Sequence, residues 1–168
     1  RHLSQAQLKT GLATFVTHVL APLTTRVGQA WMTGTLRVFE EHLYTEVVQS
    51  LLRQSIQTLP GARGEDRPRV ALTTLPGEPH GLGLLMVEAL LVIEDDYPVL
   101  LGPQTPIDEI VRAAQIKQVD VVCLSFSTAY SPALAAQGLR DLRRALPAET
   151  GLWAGGHGVK PIRKPIDG

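Results

Sequence analysis

The chain has 168 residues, 44% apolar and 19% charged, which suits one or two packed domains and excludes intrinsic disorder. Sixteen Lys and Arg balance sixteen Asp and Glu, so there is no electrostatic footprint for DNA, RNA or an acidic membrane. The one cysteine, Cys123, rules out an internal disulfide framework and fits a reducing cytosol, so a cytoplasmic location is expected. It lies in the apolar run Val121-Val122-Cys123-Leu124 and reads as a small buried hydrophobe.

Residues Leu3 to about Leu59 read as helices. Leu8, Leu12, Phe15, Val16, Val19, Leu20 and Leu23 recur at three- and four-residue steps. Pro22 is expected to bend or interrupt this helix. The pattern resumes over Val27 to Trp31 and stops near Gly34. A second helix carries Leu36, Phe39, Leu43, Val47, Leu51 and Leu52. So few amphipathic helices do not close a bundle well alone, and the chain opens abruptly in helical sequence. It is expected to be an excerpt of a longer protein. Residues 60–69 are polar and rich in Gly and Pro, a linker by composition.

The period then changes. Short strands at Val70–Thr74, Val99–Leu101, Val119–Phe126 and Leu152–Ala154 alternate with helices at Gly81–Glu94, Ile107–Lys117 and Pro132–Leu146. This alternation predicts βαβ units and a Rossmann-like parallel sheet, hence an α/β fold. The expected division is a partial helical bundle over 1–59, the linker over 60–69, and the sheet domain over 70–168. The apolar stretch from Gly81 to Ile93 contains Glu88 and is too short to span a membrane. Glu88, Glu94, Asp95 and Asp96 read as helix-face and turn charges, and Lys160, Arg163 and Lys164 as an exposed basic tail.

Parallel sheets bind ligands beyond the carboxyl ends of their strands. The first such loop reads Gly77-Glu78-Pro79-His80-Gly81-Leu82-Gly83. A carboxylate two residues before a histidine can accept the hydrogen of one ring nitrogen, which fixes the tautomer and raises the basicity of the other. Alone, Glu-x-His is a weak signal and is more often an ordinary loop pair. Spacing strengthens it: Ser125 follows Gly83 after 41 residues, and Gly155-Gly156 follows Ser127 after 27.

In this spacing the chain resembles the cobalamin-binding fingerprint Asp-x-His-x-x-Gly, Ser-x-Leu, Gly-Gly. Glu78 replaces the Asp, and Ser127 stands where the Leu would. The resemblance implies that His80 is the lower axial ligand of cobalt, replacing the cofactor's own dimethylbenzimidazole tail. That tail would lie in the sheet domain, with Gly81 and Gly83 letting the backbone approach it. Ser125 would hydrogen-bond near it, and Gly155 and Gly156 would line its nucleotide loop. His157 would sit near the tail, away from the upper face.

The helical half adds Trp31, nine further residues, then Glu41-His42, within the strings Val27-Gly28-Gln29-Ala30-Trp31 and Glu40-Glu41-His42-Leu43. Alone, such a Trp reads as core and such a Glu-His as a solvated face. With the downstream fingerprint, nearly all of the chain resembles the CarH/LitR cobalamin photoreceptors, which are MerR-type transcription regulators.

That resemblance implies adenosylcobalamin as cofactor, with Trp31 covering the adenosyl group and Glu41 and His42 lining the same pocket, Glu41 near the ribose. It also implies a homo-oligomer in the dark. DNA would be bound only through a domain absent from this chain, and light would alter conformation and assembly. No enzymatic activity is expected. In that family a His follows the Trp and can take the upper cobalt site after illumination, whereas here it is Met32. A thioether is a weaker ligand for oxidised cobalt than imidazole, so no bis-histidine photoproduct is expected through this position. His18 reads as structural and His2 as solvated.

Two other functions compete, of which the first shares a helical cap on a parallel sheet. A corrinoid carrier of a methyltransferase system would favour a smaller apolar cap than Trp31 with Glu41-His42. A cobalamin-dependent isomerase subunit would lack a bundle just before the sheet.

Overall fold

The computed structural model describes residues 2–60 and 67–162. Most of the expected linker (61–66), with Arg163 and Lys164, lies outside the described residues. The chain divides into two compact units. One is Arg1–Gly61 with Leu85–Glu94, and the other is Ala62–Leu84 with Asp95–Gly168. Most of the first helix after the linker therefore groups with the N-terminal helices, although its sequence position is inside the βαβ pattern.

In the helical unit, α1 (His2–Thr10), α2 (Leu12–Thr14), a π-helical segment (Phe15–Leu20) and α3 (Ala21–Met32) follow in succession. The expected break at Pro22 lies elsewhere. Gly11, at φ 78°, separates α1 from α2, and the ladder widens over Phe15–Leu20. Pro22 follows the widened segment directly, and the helical backbone runs on through it. The next helix, α4, runs over Val38–Thr58, with Glu40 accepting from the Arg37 N–H at 2.9 Å.

Phe15, Val16, Leu20, Val48 and Leu52 are buried. Gln7 donates to Ser55 at 2.8 Å, tying α1 to α4, and Thr24 and Tyr44 are hydrogen-bonded at 2.7 Å between α3 and α4. The buried row of α4 is Val48, Leu52 and Ser55, whereas Phe39, Leu43 and Val47 are exposed. The apolar periodicity thus located the helix but not its inward face.

The sheet unit has β1 (Arg69–Thr73), β2 (Tyr97–Gly102), β3 (Val121–Ser125) and β4 (Gly151–Gly155), all parallel in the order β2-β1-β3-β4. The α/β parallel-sheet expectation holds. The connections are α5 (Leu82–Ile93), α6 (Ile107–Lys117) and α7 (Pro132–Ala145). Ala71, Val122 and Leu124 project from the strands into one core with Ile110 and Ala114 of α6 and Leu139 and Leu142 of α7. Cys123 is buried, and desolvation pushes its thiol up to about 11, as befits an unreactive apolar filler. Arg67 pairs with Asp95, which is a structural role.

The strand order reverses between β1 and β3. At such a switch point the loops leaving neighbouring strands diverge and open a ligand crevice. The loops after β1 and β3 carry His80 and Ser127.

Leu142 is fully buried and Leu134, on the same helix, is 60% exposed. Leu142→Ala is expected to cost roughly 2–5 kcal/mol of unfolding free energy. Leu134→Ala is expected to change it by under about 0.5 kcal/mol. Urea unfolding followed by circular dichroism reads both.

Candidate functional site

The site is assembled from the turn that follows β1. Leu75-Pro76-Gly77-Glu78 closes with the Glu78 N–H donating to the Leu75 carbonyl at 3.0 Å. Pro76 presets φ at the second position, and Gly77 takes φ 85° at the third, a type II turn that a side chain at position 77 would strain. The turn points Glu78 inward, where it is 1% exposed, and delivers His80, with 46% of its side chain exposed, to the mouth of the crevice.

A buried carboxylate must have its oxygens satisfied. Oε1 of Glu78 accepts from the His80 main-chain N–H at 3.2 Å and lies 2.6 Å from His80 Nδ1. Oε2 accepts from the Ser127 N–H at 2.7 Å, across the switch point. Burial works against the charge of Glu78. The hydrogen bonds from His80 and Ser127 together outweigh it and hold the carboxyl below the usual range. A charged Glu78 keeps the proton of neutral His80 on Nδ1, so the ring's lone pair is carried by Nε2.

The remaining fingerprint residues fall around this pair. Ser125 ends β3, and a Cβ at Gly83 would come within 2.2 Å of its hydroxyl oxygen, so only glycine lets the start of α5 approach β3 this closely. Gly155 ends β4 opposite Ser125, and its carbonyl accepts from the Phe126 N–H at 3.0 Å. Gly156 lies against the Phe126 carbonyl, and His157 opens a 3-10 turn to Val159. Gly81 faces open space. The structure therefore joins Glu78, His80 and Ser127 directly, and sets Gly83, Ser125, Gly155 and Gly156 beside them on adjoining strand ends.

Three residues that sequence reading passed over hold this loop. Thr74 donates its hydroxyl to the Glu78 carbonyl at 2.5 Å and accepts from the Gln104 N–H at 2.8 Å. Gln104 accepts from the Gly77 N–H at 3.3 Å through its side chain. Tyr130 donates to the Pro76 carbonyl at 3.2 Å and packs on Phe126, with ring centroids 5.5 Å apart. Burial raises its phenol, and the charge of Glu78 acts in the same direction. The one available signal was position: Gln104 lies in the loop after β2 and Tyr130 in the loop after β3.

In the helical unit, Trp31 and Met32 close α3 and are partly exposed. Glu41 and His42 follow in the first turns of α4. Thr45 donates to Glu41 Oε1 at 2.6 Å, and Glu41 Oε2 stands 3.7 Å from His42 Nε2. His18 is exposed, with Nδ1 2.7 Å from the Thr17 hydroxyl.

Comparisons with known proteins bear on the family and the fold. Residues 1–54 match the B12 binding domain family. Over 138 residues, 82% of the chain, the sequence is 36% identical to the HTH-type transcriptional repressor CarH of Myxococcus xanthus. The chain belongs with the CarH-type cobalamin-binding proteins. It spans 45% of the length of that curated relative. Two solved structures share the fold at 18% identity. A novel cobalamin-binding protein from Desulfitobacterium hafniense DCB-2 aligns with TM-score 0.51 over 96% of this chain and 77% of its own. The methanol:cobalamin methyltransferase complex MtaBC from Methanosarcina barkeri aligns with TM-score 0.50 over 94% of this chain and 61% of its own.

The residues present fit a corrinoid. Among the described residues no three His, Cys, Asp or Glu side chains converge as a metal cage. A cobalt held by a corrin ring would need little more from the protein than one imidazole, and His80 offers an imidazole whose Nδ1 faces a buried carboxylate. Among the described residues no helix is long and apolar enough to cross a membrane.

The depressed carboxyl of Glu78 gives stability a pH dependence of known sign. Its contribution is fully present above the ordinary carboxylate range and is lost as pH falls through the depressed value. Glu78→Gln is expected to lower stability at neutral pH, with the gap to the wild type closing on acidification. Urea midpoints of both proteins at pH values below the ordinary carboxylate range check this, and a gap that does not close there contradicts it.

Proposed function

We propose that this chain is the cobalamin-responsive part of a cytoplasmic transcription regulator, not an enzyme, with adenosylcobalamin as its ligand and light as its signal. The observation that carries the proposal is the Glu78–His80 pair at the switch point, in a chain that aligns over 82% of its length with a transcriptional repressor. The resemblance of Trp31 with Glu41-His42 to the photoreceptor cap adds the adenosyl form and the light signal.

Bound adenosylcobalamin supplies a Co–C bond that light breaks. His80 would hold the lower side through Nε2, with Glu78 keeping the proton on Nδ1. Trp31 offers a large flat surface that excludes water and packs on a nucleoside. Glu41 offers a carboxylate for ribose hydroxyls, already oriented by Thr45. Met32 and His42 would border the same group. Loss of the adenosyl group would remove the contacts that favour one arrangement of these side chains and shift the population to another. DNA binding would belong to a segment outside this chain, and self-association in the dark to the ligand-bound form.

A corrinoid carrier for methyl transfer is the second reading. The MtaBC likeness, at 18% identity, speaks for the shared fold alone.

Size-exclusion chromatography of the chain with adenosylcobalamin, in the dark and after green light, separates the two readings. The sensor reading expects a change of assembly, whereas tight methylcobalamin binding with no light-dependent change favours the carrier. His80→Ala is expected to abolish the base-off, His-on absorption spectrum, and an unchanged spectrum removes His80 from its role. Trp31→Ala is expected to weaken adenosylcobalamin binding more than methylcobalamin binding, and equal effects remove Trp31 from the cap.

A further inference from the structure

We propose that Gln104 and Tyr130 are positioning residues that clamp a single peptide group, the one joining Pro76 to Gly77, and so hold the turn leading to His80 in its type II form. The clamp stands without the cobalamin reading. Only its effect on cofactor affinity rests on His80 as the lower cobalt ligand.

The carbonyl of Pro76 and the N–H of Gly77 belong to one planar unit and point in opposite directions. Each has its own side-chain partner. The Tyr130 hydroxyl donates to the Pro76 carbonyl at 3.2 Å, from the loop after β3. The Gln104 side-chain oxygen accepts from the Gly77 N–H at 3.3 Å, from the loop after β2. A type II turn becomes a type I turn when this central peptide rotates by about 180°, while the outer residues keep their places. The bond from the Glu78 N–H to the Leu75 carbonyl closes either form, so it does not choose between them. The two side-chain bonds do choose. A flipped peptide would turn its carbonyl towards the Gln104 oxygen and away from the Tyr130 hydrogen.

Both partners are anchored. Gln104 sits at φ 61°, a left-handed conformation uncommon for a residue with a side chain. Its N–H donates to the Thr74 hydroxyl at 2.8 Å, and the next N–H, of Thr105, donates to the Thr74 carbonyl at 3.0 Å. The same hydroxyl donates to the Glu78 carbonyl, so one threonine holds both Gln104 and the end of the turn. The Tyr130 ring packs on buried Phe126, and its N–H donates to the Ser127 carbonyl at 3.3 Å. Each bond to the turn is exposed and modest alone. Anchoring lowers the entropy cost of making them, and both oppose the same rotation.

The local sequence leaves this choice to tertiary contacts. Pro suits the second position of both turn types, and Gly accepts either sign of φ at the third. A Cβ at Gly77 would lie 3.6 Å from Tyr130 Cε2, an ordinary contact. Gly77→Ala therefore fits the space, and its handicap in the type II form is the positive φ alone.

That makes Gly77→Ala the background for the test, because it brings the two forms within measurable reach. The full chain is used without cobalamin. In a type II turn ψ of about +120° at Pro76 sets its Hα close to the following N–H and gives a strong nuclear Overhauser cross-peak; at about −30° the cross-peak is weak. Tyr130→Phe and Gln104→Met, each added to Gly77→Ala, should lower the type II to type I ratio by roughly three- to tenfold, the range for one hydrogen bond. Gln104→Glu keeps the acceptor and should keep the ratio. Should Gly77→Ala not fold, Gly77→Asn, which tolerates positive φ better, replaces it. A ratio unmoved by Tyr130→Phe and Gln104→Met, or lowered by Gln104→Glu as much as by Gln104→Met, overturns the clamp.

Adenosylcobalamin titrated in the dark reads the consequence. Affinity should fall in proportion to the type II fraction lost. If His80→Ala weakens binding and the clamp variants move the turn without weakening it, the positioning role is overturned. If the clamp variants move the turn and His80→Ala leaves binding intact, the lower-ligand reading falls and the clamp stands.

Discussion

The structure around the site depends on one buried carboxylate. Glu78 is nearly inaccessible to solvent, and a charge placed there is costly unless its oxygens are hydrogen-bonded. His80 and Ser127 supply those bonds, and they come from opposite sides of the point where the strand order reverses. Satisfying the charge therefore does two things at once. It fixes the histidine tautomer and it ties the loop after β1 to the loop after β3. The type II turn at Pro76-Gly77 and the hydroxyl of Thr74 serve that bond by bringing the acid inward at the correct height.

The helical unit follows a different logic. Its small core of Phe15, Val16, Leu20, Val48 and Leu52 packs the helices, while polar bonds at Gln7–Ser55 and Thr24–Tyr44 set their registry. Met32 occupies the place where the photoreceptors have a histidine. On the proposed reading the thioether would change what the upper side of a corrin meets, while His80 would still offer an imidazole to the lower side.

Much of the sheet unit was legible in the sequence, because a buried parallel strand is a short apolar run and its helices carry their own period. Helix Ile107–Lys117 lies where its pattern placed it, and the other strands and helices of this unit agree within two residues. Less was legible in the helical unit. Phe39, Leu43 and Val47 share a helical period with the core, yet the inward face is Val48, Leu52 and Ser55. A period gives an amphipathic stripe; tertiary packing decides which edge of it turns inward. At the site, Glu78, His80 and Gly83 could be read from spacing. Thr74, Gln104 and Tyr130 are marked by no motif, since each acts through a loop main-chain group, four residues away for Thr74 and far along the chain for Gln104 and Tyr130.

The π-helical segment over Phe15–Leu20 has a geometric corollary for Trp31. A π-turn holds one more residue than the α-turn it replaces, and one residue corresponds to about 100° of rotation about a helix axis. The azimuth of everything downstream on α3, Trp31 included, is thus set relative to α2 by a single widened turn. The segment works as an indexing step. Lineages that lose one residue within it would carry the same tryptophan on a different side of the same rod, and would have to re-aim it by compensating changes elsewhere.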